Sequence, residues 1–368
     1  MQISNSLTKK LSGLDHLRGL AIVLVLVYHL YQSFFRGYAQ FDLQGLLQYP
    51  ESHPRWTHWF NELHIGVNLF FVISGFLMHH IYGNRETGLK EALRFLEKRF
   101  LRIAPPYYVA ILVSVAGALF LGKGFDLTGT WWHFLFIHNF SDYYSYSIQA
   151  VFWSIAVEIQ FYVLFALLLI LRPKNFKPFW FVVFLAFLVL SLVLKNLAFQ
   201  NADDLEVLRW QAMDNTLMRF PEFLIGVLAS KYGEVMKRKA WLLLAFIPAF
   251  LGHNWFMVNY FTGDLLYAIG FAGLLLLFAQ REIRSNWLSF SGRISYTMYL
   301  YHFLIYSIWD VALCRIFGIE RVASWIRLPI FVSGILVVYI VSYFFFRLIE
   351  KPSLRLKNLI SVRSNDKN

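Results

Sequence analysis

Apolar runs long enough to cross a hydrocarbon core recur along the whole chain, separated by short polar segments. Ten stretches meet that length, at about residues 17–35, 63–82, 104–122, 148–171, 178–199, 214–231, 240–258, 262–279, 294–313 and 328–349. The pattern predicts an all-α fold, a polytopic transmembrane helical bundle of about ten spans. Pro105-Pro106 fits the first turn of the third helix, where a missing N–H does no harm. Just before it, residues 85–102 carry Leu89, Leu93 and Leu96, continued by Phe100 and Ile103, at helical spacing opposite the charges. That spacing predicts an interfacial helix. The first run follows Lys9 and Lys10 like a secretory signal. It is about 19 residues long and lacks a small-residue cleavage site, so it is expected to stay as a span.

Composition strengthens this reading. Hydrophobic residues make up 58% of the 368 and charged residues 15%, too few to cover a soluble surface. A single integral-membrane domain over 1–368 is expected, with a cytoplasmic N-terminus (1–13) and a basic cytoplasmic tail (350–368). The net charge of +12 follows the same logic. With the N-terminus inside, 24 lysines and arginines fall on inner segments and seven on outer ones, which predicts both termini cytoplasmic. Basic loops facing anionic lipid explain the charge without nucleic acid, for which no polar basic module exists. Cys314 is the one cysteine, so no intrachain disulfide can form. His53, His58 and His64, with Glu51 and Glu62, match no metal-ligand spacing, and no metal site is expected. No inverted repeat of the transporter kind is visible.

Polar residues inside the apolar runs are the candidates for chemistry. Arg18 and His29 lie eleven positions apart on one helix face, roughly 16 Å along the axis. The cation sits at the membrane edge and the imidazole near mid-depth. Arg99 and Arg102, three apart, are either ordinary inner-face anchors or a phosphate clamp built from bidentate forks. Ser74-Gly75 is either a packing notch or room for a slender ligand arm. Glu158 lies near mid-depth among Trp153, Ser154, Gln160 and Tyr162, and serves either to pair an arginine or to orient a catalytic group. Arg219 and Glu222 can neutralise each other or contact a polar acceptor. Tyr296, Tyr299 and His302 share another span, where hydrogen bonding between helices competes with a functional role.

In order along the chain, LDHLRG followed by His29, FFVISGF, KRFLRIAPPYY, WSIAVEIQFY, RFPEFLIG, ISYTMYLYHF and the closing EKPS resemble the motifs of the integral-membrane acyltransferase 3 family. The set covers nearly the whole chain; His16 stands where the family often has glycine. The resemblance is to stand-alone members, since the chain lacks the length for the extracytoplasmic hydrolase-like domain of others. It implies transfer of an acyl group, commonly acetyl, from cytoplasmic acyl-coenzyme A to an extracytoplasmic hydroxyl. Coenzyme A would be a co-substrate rather than a bound cofactor. The implied acceptor is a carbohydrate, such as a surface polysaccharide or lipopolysaccharide sugar, or a small molecule such as an antibiotic, at the bacterial inner membrane. By motif position His29 matches the family's essential histidine, and Arg18, Arg99 and Arg102 its essential arginines.

On that reading the arginines hold the donor's phosphates and its arm passes Ser74-Gly75. His29 acts as general base or as acyl carrier, with Glu158 as its orienting partner. Trp153, Tyr162, Arg219, Glu222 and His302 support the acceptor side. The rival class is a transporter or flippase, in which the buried polar groups form a relay.

Overall fold

The computed structural model describes residues 12–36, 60, 62–83, 88–120, 127–141, 143–201, 215–233, 262–279, 283–317 and 327–355. Among these the chain is helical and contains no strand. The helices are α1 (Ser12–Arg36), α2 (Gly66–Tyr82), α3 (Leu89–Phe120), α4 (Leu127–Phe134), α5 (Trp153–Leu171) and α6 (Phe179–Asn201). They continue with α7 (Thr216–Tyr232), α8 (Gly263–Ala279), α9 (Trp287–Arg293), α10 (Ser295–Phe317) and α11 (Arg327–Phe345). A 3₁₀ turn, Glu62–Ile65, leads into α2, and a π-helical turn, Phe346–Glu350, extends α11.

Among the described residues, six segments are long and apolar enough to cross a membrane: Gly13–Tyr31, Leu63–Tyr82, Leu89–Leu119, Trp153–Leu171, Phe179–Gln200 and Val332–Arg355. Helix α8 is apolar but shorter. Helices α7 and α10 occupy two further expected spans but carry charged residues, among them Arg219 and Glu222 on α7. The expected span 240–258, the loop histidines His53 and His58, and the tail beyond 355 lie outside the described residues. Helices α6 and α11 are the least enclosed; Val189, Leu336, Ile340 and Phe344 project outward, as side chains facing hydrocarbon should.

One expectation is corrected. The interfacial helix and the third span are a single 32-residue helix, and Pro105 and Pro106 lie inside it rather than at its first turn. Each proline removes one i→i−4 bond. Packing compensates: Ile103, Ala104 and Tyr107 around the prolines are buried in the core. Leu89, Leu93 and Phe100 point outward, while Ala92, Phe95, Arg99 and Ile103 form the buried stripe. Arg99 therefore faces the bundle interior.

Close backbone crossings set the rest. Helices α2 and α7 meet at Gly75 and Gly226, where a Cβ would stand 1.9 Å from the Phe223 carbonyl oxygen and 2.1 Å from that of Val72.

Between α3 and α5 the chain folds into a capped segment. Phe136 adopts a left-handed conformation (φ 57°), and its carbonyl accepts from Gln160 Nε2 at 2.7 Å. Gln160 also pairs with Asn139 and accepts from Thr216 on α7. Ser147 donates to the Tyr144 carbonyl, so it accepts from His133 Nε2; His133 Nδ1 then accepts from the Tyr107 hydroxyl. His138 stacks on His133 with ring centroids 3.7 Å apart. Burial lowers both imidazoles, His133 to about 2 and His138 to about 3.

Candidate functional site

A cavity opens among α1, α2, α3, α5 and α10. Arg18 enters it from α1, Ser74 from α2, Arg99 and Arg102 from α3, Glu158 and Tyr162 from α5, and Tyr296 and Tyr299 from α10. Phe70, Phe71, Leu77, Ile103 and Ile155 supply apolar wall. Three guanidiniums thus converge in one chamber. None of them forms an ion pair with a described carboxylate; the ion pairs among the described residues are elsewhere. Arg99 is buried, its guanidinium over the rings of Phe95 and Tyr162 at 5.8 and 5.7 Å.

Glu158 accepts from Ser74 Oγ at 2.9 Å and from the Tyr162 hydroxyl. Those two bonds fix it in the arginine chamber, and no hydrogen bond joins it to His29. Gly75, one residue past Ser74, faces away from the cavity into the crossing with α7. Of the Ser74-Gly75 pair, only Ser74 lines the chamber. Trp153 is buried edge-on to Phe71 and stands behind the wall.

His29 is not among the residues lining the chamber. Its ring lies 5.0 Å from that of His302, centroid to centroid, and 5.6 Å from Phe303. Tyr299 separates the two regions. It lines the chamber, its hydroxyl lies 2.6 Å from Ser154 Oγ, and its ring is 5.7 Å from His302.

Arg219 and Glu222 belong to a third group. Arg219 pairs with Glu222 at 3.0 Å and with Asp264 of α8 at 2.6 Å. Asn68 Nδ2 donates to both carboxylates at 3.0 Å. Lys195 of α6, also buried, supplies the second cation, so two positive and two negative charges balance. This network ties α2, α6, α7 and α8 together and holds Arg219 between two carboxylates.

Sequence reasoning missed several members. Asn68, a lone amide in an apolar run, and Asp264, an acid at the start of another, were the available signals. Glu350 opens the EKPS motif. On the π turn it accepts from Thr297 and lies within electrostatic reach of Arg102 and Arg18. No group of three or more potential metal ligands occurs among the described residues.

The family model described as an acyltransferase domain matches residues 11–347. The chain is 30% identical over 189 residues to the peptidoglycan O-acetyltransferase OatA of Listeria monocytogenes, covering 46% of this chain and 26% of that protein. It is 25% identical over 337 residues to "Putative O-acetyltransferase SACOL0978" of Staphylococcus aureus, covering 80% of this chain and 50% of that one. An uncharacterized Haemophilus influenzae protein is 31% identical over 189 residues, 47% of this chain and 76% of its own length. The chain thus spans half or less of the first two relatives. No solved structure matches it.

Proposed function

The chain belongs to the acyltransferase 3 family, and on that premise we propose that it is a multi-pass membrane O-acetyltransferase. It takes an acetyl group from cytoplasmic acyl-coenzyme A and passes it to a hydroxyl on the far side of a bacterial inner membrane. The acceptor class favoured is an extracytoplasmic carbohydrate; the relative OatA is named for peptidoglycan. Ten spans with both termini cytoplasmic put Arg18 and the arginines of α3 at the donor side.

The observation that carries this reading is the chamber itself. Three arginines without carboxylate partners among the described residues, against one hydrogen-bonded glutamate, make an anion site inside an apolar bundle. Coenzyme A offers matching chemistry: phosphates for the guanidinium forks and a thin arm for the apolar wall. Tyr299, which lines the chamber and packs on His302, stands on the side of His29, where the thioester would arrive. His29 then removes the hydroxyl proton as the oxygen attacks the thioester carbonyl. Glu158, bound to Ser74 and Tyr162, acts on the arginines, setting their positions and charge balance, rather than on His29. A transporter reading gains no specific support, since the buried charges of Arg219, Glu222, Asp264 and Lys195 are mutually balanced.

The test is transfer from radiolabelled acetyl-coenzyme A into the polysaccharide fraction of membranes carrying the chain. Incorporation should require His29 and vanish in His29→Ala. Undiminished incorporation in that variant overturns the catalytic assignment, and no incorporation above membranes lacking the chain overturns the activity.

A further inference from the structure

His302 carries a feature that its place on α10 does not require. Its Nδ1 lies 2.8 Å from the carbonyl oxygen of Tyr299 and 3.1 Å from that of Met298. A carbonyl oxygen only accepts, so Nδ1 bears the hydrogen and Nε2 of the neutral ring bears the lone pair. Residue 302 is 0% exposed, and its Nε2 has no hydrogen-bond partner. Leaving a buried acceptor unused is costly in any fold.

His29 presents the complement. Its Nδ1 is also buried and without a partner. The ring centroids are 5.0 Å apart and the planes tilted by 45°, a separation that allows a hydrogen bond between ring nitrogens that face each other. Tyr28 meets His29 edge-on at 4.8 Å, and Phe303 is apolar. His64, from the 3₁₀ turn, packs on Tyr28 at 5.7 Å. On the far side, Tyr299 and Tyr306 pack against His302 at 5.7 and 6.0 Å. No described carboxylate bonds to either imidazole.

We propose that His302 is a positioning residue for His29. Its Nε2 accepts the Nδ1 hydrogen of His29, which leaves the lone pair of His29 on Nε2, facing the acceptor hydroxyl. The inference rests on the general-base role of His29 given above. The steps balance as follows. The hydroxyl proton moves to His29 Nε2 as the new C–O bond forms, and the C–S bond breaks to release a thiolate. The thiolate then takes the proton back from His29. While His29 is an imidazolium, its Nδ1–H bond to His302 spreads the positive charge, and the Met298 and Tyr299 carbonyls steady the second ring.

Two measurements on the full chain in nanodiscs test this. In ¹⁵N-histidine spectra, His29 should carry its hydrogen on Nδ1, and His302→Phe should abolish that preference. His29 on the Nε2–H tautomer in the native chain, or no change in His302→Phe, overturns the inference. In acetyl transfer from acetyl-coenzyme A, His302→Phe should lower kcat by about a hundredfold or more with the donor KM within about threefold. The acid limb of kcat should move to lower pH, because His29 loses the acceptor that stabilises its protonated form. His302→Gln, which restores an acceptor oxygen, should recover at least about tenfold of the loss. A fall in kcat with an unmoved acid limb and no rescue by Gln marks a structural role and overturns the inference. If no variant transfers acetyl at all, the enzymatic reading fails, and the tautomer measurement still decides the His302 pairing.

Discussion

Acid should loosen the segment between α3 and α5 before it affects the bundle. The cause is the stacked pair His133 and His138, which the fold keeps neutral. An unfolded histidine titrates near pH 6.5, whereas burial lowers His133 to about 2 and His138 to about 3. Below pH 6.5 the open segment takes up protons that the closed one refuses, so closure loses stability as pH falls. Each histidine loses about 2 kcal/mol between pH 8 and pH 5, and the pair about 4 kcal/mol. The loss continues to the folded values near pH 3 and 2 and is absent above pH 7. Amide hydrogen exchange over residues 133–147, corrected for the intrinsic pH dependence, reads this directly. Protection should fall by up to about a thousandfold from pH 8 to pH 5, and His138→Phe should halve the logarithm of that fall. A fall of less than about threefold, or an unaltered fall in His138→Phe, refutes the reasoning.

Other outcomes follow from the same geometry. Arg219→Leu leaves two buried carboxylates, Glu222 and Asp264, with Lys195 as the remaining cation of the network and should cost about 3–5 kcal/mol; Glu222→Gln, which keeps the Asp264 pair, should cost less, with thermal unfolding in detergent as the measure. Gly226→Ala sets a methyl 2.1 Å from the Val72 carbonyl oxygen and should destabilise by about 1–3 kcal/mol through forced separation of α2 and α7; an unchanged melting temperature contradicts that crossing. Arg99→Ala removes charge-assisted contacts to the donor and should raise the acetyl-coenzyme A KM about tenfold or more, at about 1.5–3 kcal/mol per contact. An unchanged KM removes Arg99 from the donor site.

What the sequence disclosed depended on distance along the chain. The apolar runs located the helices, because helix formation and burial are local properties of a 20-residue window. Arg99 and Arg102 could be paired by spacing alone. Tertiary partners could not. Arg219 was matched to Glu222, three residues away, but its shorter ion pair is to Asp264 on another helix. Glu158 and His29 both lie near mid-depth by sequence position. Depth says nothing about azimuth around the bundle, and Ser74 and Tyr162 are its actual neighbours. A proline pair marks a helix start when nothing else supports the preceding turns. Here Phe95 and Arg99 pack inward and carry the helix through.

The contact of Gly75 with the Phe223 backbone has a mechanical consequence. Ser74, which grips Glu158, is the next residue, so that side of the chamber is braced by main chain against main chain. Such a wall cannot yield without parting two helices. Any widening needed to admit a cargo must come from another wall of the chamber. The glutamate is thereby a fixed fiducial point, set before any ligand arrives, and no ordering cost is incurred there on binding.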